Sequence, residues 1–118
     1  MKTVTMDING ARKIAALQEE FKAVCANLKL CFYGKPHTDN GPHSEQIVTK
    51  ESASLSDCRN SHNDGTLTIT SQMTIENLEA DFRDVYGLKM EVFRKSGKEW
   101  IRTKYTTKLS LEEQNQLD

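Results

Sequence analysis

The sequence has no long hydrophobic run. Only 36% of its 118 residues are hydrophobic, and no window approaches the roughly 18 consecutive apolar residues of a membrane-spanning helix. Residues 1–5 carry no apolar stretch, so we also expect no signal peptide and no membrane partner. A chain of this length fits one domain with a modest core.

An excess of one charge and a set of paired cysteines are also lacking. Sixteen basic and seventeen acidic residues give a formal charge of −1, which excludes a global attraction to nucleic acid or to a membrane surface. The three cysteines, Cys25, Cys31 and Cys58, are an odd number at wide spacing. They fit reduced thiols better than a disulfide framework, so we expect a cytoplasmic protein.

Motifs for catalysis and for phosphate binding are missing as well. No serine lies in a Gly-x-Ser-x-Gly motif, and the six glycines are isolated at predicted turns instead of forming a phosphate-binding loop. The acidic pairs at 19–20 and 112–113 fall on solvated helix faces. The sequence therefore predicts no catalytic residue, no cofactor and no enzymatic activity.

What the sequence does contain is a similarity between its two halves. We interpret it as a duplication, with one copy in residues 1–58, a second in residues 66–118 and a polar linker over 59–65. A shift of 60 positions aligns residues 28–30 with residues 88–90. The pairs Thr-Lys and Leu-Ser at 49–50 and 55–56 recur at 103–104 and 109–110. A shift of 61 positions superimposes six identical residues: Thr5, Ile8, Ile14, Leu17, Phe21 and Val24 on Thr66, Ile69, Ile75, Leu78, Phe82 and Val85.

Each copy predicts the order strand, helix, strand, strand, short helix. Apolar residues alternate in segments such as 4–8, which is typical of a half-buried strand. They recur at the helical period over 14–25 and 75–86. The fold class is thus α+β, with two tandem units forming one mainly antiparallel sheet and two principal helices on one face. The expected core comprises Ile14, Leu17, Phe21, Val24, Leu67, Ile69, Ile75, Leu78, Phe82 and Val85.

Short local signals place several element ends. Thr74 is a predicted N-cap of the second helix, and Gly87 is its predicted left-handed terminator. Residues 110–113 have the pattern of a capping box that opens a short last helix. Ser96 and Gly97 predict the turn of a hairpin in the second copy.

Three phrases carry a resemblance to a known group of proteins. Residues 17–21 (LQEEF), 53–59 (ASLSDCR) and 77–82 (NLEADF), taken with the order of elements, resemble a group of small bacterial proteins with a duplicated α+β core. No function is established for that group. The resemblance therefore implies an architecture and carries no site residues across.

The polar stretch between residues 35 and 65 contains all three histidines. His37, His43 and His62 lie with Cys58 in a segment of about 26 residues, and a carboxylate such as Asp57 or Asp64 could complete a zinc site. The spacing matches no standard zinc motif, and polar loops, which we expect over 36–45 and 59–65, collect histidines by composition alone. A metal site in this loop is the third hypothesis for function, and no metal ligand is assigned.

The first hypothesis is an interaction surface on the sheet. If both helices cover one side, the other side carries the alternate strand residues, including the threonines of 3–7 and 66–70. Such a face suits self-association or the docking of another protein, whereas simple exposure to solvent is the alternative. We therefore predict a non-catalytic module for self-association, as a homodimer, or for docking of another protein, with a candidate interaction face made of Lys29, Cys31, Tyr33, Lys89, Glu91 and Phe93.

The second hypothesis is nucleic-acid binding by a basic segment. Residues 89–108 hold seven basic and two acidic side chains, with Phe93, Trp100 and Tyr105 between them. Cations beside aromatic rings on a sheet are what single-stranded RNA binders use, although lysines beside a hairpin turn also keep sheet edges soluble. The candidate patch is Arg94, Lys95, Lys98, Arg102 and Lys104.

Overall fold

Two antiparallel sheets and three helices make up the fold. The computed structural model describes residues 3–34, 47–48, 52–58 and 63–116. Together these elements confirm the α+β class. In chain order they are β1 (Val4–Ile8), α1 (Ile14–Lys22), β2 (Leu28–Phe32), a 3-10 turn (Leu55–Asp57), β3 (Gly65–Ile69), α2 (Ile75–Tyr86), β4 (Met90–Ser96), β5 (Glu99–Arg102) and α3 (Leu111–Asn115).

The prediction of a single sheet is wrong. β1 pairs with β3 in a two-stranded sheet, and a separate sheet has the order β2-β4-β5. Each principal helix leads the chain from the first sheet to the second, α1 from β1 to β2 and α2 from β3 to β4. Strands at corresponding positions of the two halves therefore pair with each other, β1 with β3 and β2 with β4, and β5 adds to β4 as a hairpin within the second half.

Residues at equivalent positions of the two sequence halves lie opposite each other in both sheets. Met6 lies opposite Leu67 in the first sheet, and Cys31 lies opposite Glu91 in the second. These are equivalent positions under the shifts of 61 and 60 residues that align the sequence halves.

The backbone contacts at the start of α1 and α2 also correspond. The amide of Ile14 donates to Ala53 O at 3.0 Å, and the amide of Ile75 donates to Leu109 O at 3.2 Å. Ser54 and Ser110 each open a capping box, with Asp57 and Glu113 as the respective partners. In the structure, Ser54 is therefore the equivalent of Ser110. The match of the Leu-Ser pairs in the sequence had instead aligned Ser110 with the serine two residues after Ser54.

The local signals of the second half are confirmed. The Thr74 side chain accepts a hydrogen bond from Asn77 N at 3.1 Å, and α2 ends at Gly87 with φ 67°, a left-handed conformation that costs glycine little. The capping box at Ser110 opens α3. Gly97, with φ 63°, lies in the turn between β4 and β5.

The helices pack on one face of the three-stranded sheet through a common core. Leu28, Leu30 and Phe32 of β2 are fully or almost fully buried, as are Phe21 of α1 and Phe82 of α2. The prediction of Val85 as a core residue is wrong, because its side chain is 49% exposed. Phe82 and Tyr86, four residues apart, take the inward positions of the last turns of α2, and Val85 turns to solvent. Val24 is partly buried against the core.

Polar side chains at one equivalent helix position form hydrogen bonds with the backbone of β2 and β4. Gln18 Nε2 donates to Leu30 O at 2.7 Å, and the amide of Val92 donates to Glu79 Oε2 at 3.3 Å. Burial raises the pKa of the Glu79 carboxyl, and its hydrogen bond from Val92 opposes that shift. The helices thus cover one side of the three-stranded sheet and leave its opposite side uncovered. None of the helices described here is long and apolar enough to cross a membrane.

Candidate functional site

The side of the three-stranded sheet that faces away from the helices is a mixed surface of cations and rings. Residues opposite each other in an antiparallel pair point to the same side. The register sets Lys29 opposite Phe93, Phe93 opposite Arg102, and Lys95 opposite Trp100. We call this surface the outer face, and it comprises Lys29, Cys31, Tyr33, Lys89, Glu91, Phe93, Lys95, Trp100 and Arg102.

Three aromatic rings of the outer face each carry a cation. Lys29 Nζ lies 5.7 Å from the centre of the Trp100 ring, and Lys89 Nζ lies 5.0 Å from that of Tyr33. The guanidinium carbon of Arg102 lies 5.8 Å from the centre of the Phe93 ring. Such pairs each contribute about 0.5–1 kcal/mol at exposed sites. A fourth pair follows directly after β5, where Lys104 Nζ is 5.0 Å from the Tyr105 ring.

A single carboxylate lies among these cations. Glu91 accepts a hydrogen bond from the Tyr33 hydroxyl, and Arg102 Nη1 lies 3.6 Å from the same carboxylate oxygen. The outer face thus sets four cationic side chains, those of Lys29, Lys89, Lys95 and Arg102, against one acidic side chain that is already engaged. It is a positively charged surface on a chain whose formal charge is −1.

Two groups of the outer face resist ionisation. Burial raises the pKa of Tyr33 to about 12, and the hydrogen bond to Glu91 and the charge of Glu91 act in the same direction. Burial also raises the pKa of the Cys31 thiol, which the nearby Lys29 opposes. A protonated thiol is a poor nucleophile, so Cys31 is suited to packing and not to covalent chemistry.

The predicted interaction face is less open than expected. Cys31 is 5% exposed and Tyr33 is 6% exposed, because Lys89 lies over the Tyr33 ring and the short Cys31 side chain sits among longer neighbours. Lys89 is exposed, whereas Lys29, Glu91 and Phe93 are half-buried. The accessible part of this surface therefore consists of cations and ring edges.

The predicted nucleic-acid patch is divided by the sheet. Lys95 and Arg102 lie on the outer face, and Lys98 lies exposed in the β4–β5 turn. Lys104 is exposed in the segment that follows β5. Arg94 pairs with Leu28 and with Ile101 and so points to the helix side, which removes it from the patch.

The threonine-rich residues form a different surface. Thr5 and Thr68 lie opposite each other on the exposed side of β1 and β3, with their hydroxyl oxygens 3.3 Å apart. Because these strands belong to the separate two-stranded sheet, the threonines do not continue the hydrogen-bonded outer face.

Three candidate ligands of the metal hypothesis lie among the described residues, namely Asp57, Cys58 and Asp64. Cys58 is buried and closes the 3-10 turn, with Sγ 3.9 Å from Ser54 O. The Asp57 carboxylate accepts from the Ser54 amide at 2.9 Å. His37, His43 and His62 lie outside the described residues. Within the part of the chain that the structure describes, no three potential metal ligands come together. All three cysteines are described, and each is a buried thiol without a disulfide bond.

Sequence reasoning missed two clefts beside the three-stranded sheet. The larger, of about 380 Å³, lies by β4 and is lined by residues that include Glu79, Arg83 and Lys89. The smaller, of about 280 Å³, lies by β2 and is lined by Gln18, Lys22, Lys29 and Trp100, among others. Positions 18, 22 and 29 correspond to 79, 83 and 89 under the shifts of 61 and 60 residues, so the similarity between the two halves of the sequence was the signal that could have related the two clefts.

Comparison with known proteins adds no relative. The chain matches no family model, no curated protein and no solved structure. The resemblance to bacterial proteins with a duplicated core therefore stays a prediction. The function has to be argued from the outer face itself.

The Tyr33–Glu91 contact predicts a specific loss of stability in alkali. Between pH 10, where an ordinary tyrosine ionises, and about pH 12, where Tyr33 does, the unfolded chain releases the phenol proton and the folded chain retains it. This linkage lowers the free energy of unfolding as the pH rises. We expect Tyr33→Phe to be less stable by about 1 kcal/mol at pH 9, for loss of the hydrogen bond.

The measurement is urea denaturation of both proteins at pH 9, 10 and 11. Phenylalanine has no proton to release, so the difference between variant and parent should narrow as the pH rises. A difference that stays constant from pH 9 to pH 11 would contradict this account of Tyr33.

Proposed function

We propose that this protein is a non-catalytic interaction module that binds an anionic partner through the outer face. The observation that carries the proposal is the set of cation–ring pairs, with four cationic side chains against the single carboxylate of Glu91. On a chain with almost balanced charge, this local excess gives the surface a preferred class of partner.

Charge favours a different partner over a second copy on this face. A two-fold interface sets the same patch against itself, so two outer faces would bring lysines and Arg102 towards one another. Glu91 is the one acidic group that could offset this repulsion, and it already accepts from Tyr33 and lies by Arg102. Self-association through the outer face is therefore the weaker form of the interaction hypothesis.

A tandem duplication gives this surface its arrangement in our proposal. The pair of Lys29 with Phe93 and the pair of Lys89 with Tyr33 are equivalent under the 60-residue shift. The matching backbone contacts of the two halves support the same duplication. Each copy then contributes one lysine and one ring, and their antiparallel pairing sets both on one side of the sheet.

The test uses the one tryptophan of the chain. Trp100 lies on the outer face, so its fluorescence should report titration with inorganic polyphosphate and with a poly-glutamate peptide. We expect binding at 50 mM salt that weakens roughly tenfold or more by 200 mM, because salt screens exposed charges. No binding to either polymer at 50 mM salt, or binding that salt does not affect, would contradict the proposal. Light scattering of the same samples would detect self-association.

A further inference from the structure

We infer that the anionic partner is a single-stranded nucleic acid, whose bases stack on Trp100 and Tyr105. This inference rests on the proposed function of the outer face. Among the described residues, the large hydrophobic side chains that remain exposed are Val85, Trp100 and Tyr105, at 49%, 37% and 89%. Two of these three are aromatic, and both lie on β5 or directly after it.

A phosphate contact is available beside each of these rings. Lys29 Nζ is 5.7 Å from the Trp100 ring centre, and Lys104 Nζ is 5.0 Å from that of Tyr105. A lysine has a long flexible stem with a point charge at its end. It can therefore swing from the ring to a phosphate of the same nucleotide strand, which leaves the ring face to a base.

The magnitudes favour this exchange. An exposed cation–ring contact changes an equilibrium by about two- to fivefold, whereas stacking of one base on an aromatic side chain changes it by about five- to 150-fold. The lysine also gains a phosphate partner. Stacking of a base together with a phosphate contact thus outweighs the cation–ring contact that is lost.

Other anionic partners use only part of this surface. An acidic peptide can meet the cations, but its carboxylates have no ring to stack on Trp100 or Tyr105. The bases of a duplex are already stacked within the helix, and sequence-reading proteins reach unstacked bases in single strands. Exposed rings beside lysines match a partner that carries both flat apolar groups and regularly spaced negative charge.

The experiment compares single strands with anionic ligands whose bases are absent or already stacked in a duplex. Fluorescently labelled oligo-dT of 12 nucleotides, oligo-U of the same length, an abasic strand with the same number of phosphates, a duplex and poly-glutamate are titrated by anisotropy at 50 mM salt. We expect the two single strands to bind at least tenfold more tightly than the abasic strand, the duplex or the peptide. Trp100→Leu and Tyr105→Leu should reduce this advantage, because the affinity for oligo-dT should fall further than the affinity for the abasic strand.

The controls separate the inference of nucleic-acid binding from the proposal of anion binding by the outer face. Val85→Ala removes the other exposed apolar side chain and should change no affinity, and circular dichroism checks that each variant is folded. If the abasic strand or poly-glutamate binds as tightly as oligo-dT, the nucleic-acid inference is wrong while anion binding by the outer face stands. If no anionic ligand binds, both are wrong.

Discussion

Replacement of Phe82 by alanine should lower the free energy of unfolding by about 3–5 kcal/mol. Phe82 is fully buried, and its ring meets Phe32 edge-on at 5.4 Å between centres and lies 6.4 Å from Tyr86. Truncation leaves a cavity between α2 and the inner side of β2, which the surrounding backbone can close only in part. Urea denaturation followed by circular dichroism measures the loss.

The matched control for Phe82 is three residues further along the same helix. Val85→Ala removes methyl groups that are 49% exposed, so we expect a change within about 0.5 kcal/mol. Similar losses for the two variants would show that α2 does not present the face assigned to it here.

Reversal of two charges on the outer face should weaken anion binding on the order of 100-fold at 50 mM salt. The variant is Lys29→Glu combined with Arg102→Glu, which turns two attractive contacts into repulsive ones. Fold stability should change little, because the cation–ring pairs and the Arg102–Glu91 contact that are lost each contribute about 1 kcal/mol or less at exposed positions. Fluorescence of Trp100 and of a labelled ligand measures the affinity.

A control variant separates the effect of the position of the charges on affinity from the effect of the net charge. Lys13→Glu combined with Lys108→Glu changes the net charge by the same amount, and both residues are exposed and lie outside the outer face and outside the two clefts beside it. We expect a much smaller loss of affinity from this pair. Equal losses from both pairs would mean that overall charge, and not the outer face, governs binding.

Alternation along the strands made much of the outer face predictable. The alternation of side chains along a strand correctly predicted that Lys29, Cys31 and Tyr33 lie on one side of β2. It also correctly predicted that Leu28 and Leu30 lie on the other side. The same rule, applied to Arg94, sets it on the inner side with Val92. Its inclusion in the basic patch came from its nearness in sequence to Lys95, and the structure corrects that choice.

Strand order and register were beyond single-sequence reasoning. The contacts of Glu91 with Tyr33 and Arg102 depend on which strands are neighbours and on their exact offset. Nothing in a local pattern reveals that each helix leads from one sheet to another, so the prediction of one sheet was wrong. The choice between Val85 and Tyr86 as the inward residue similarly depends on how α2 is rotated against β4.

The most direct test of the outer face is an amide ¹H–¹⁵N correlation spectrum recorded during titration with oligo-dT at 50 mM salt. Binding through this surface predicts that the largest shifts fall on β2, β4 and β5, around Lys29, Phe93 and Arg102, and on the indole N–H of Trp100. They should diminish when salt is raised to 200 mM. Shifts confined to α1, α2 or the β1–β3 sheet, or a spectrum that does not change, would contradict the assignment of the outer face as the binding surface.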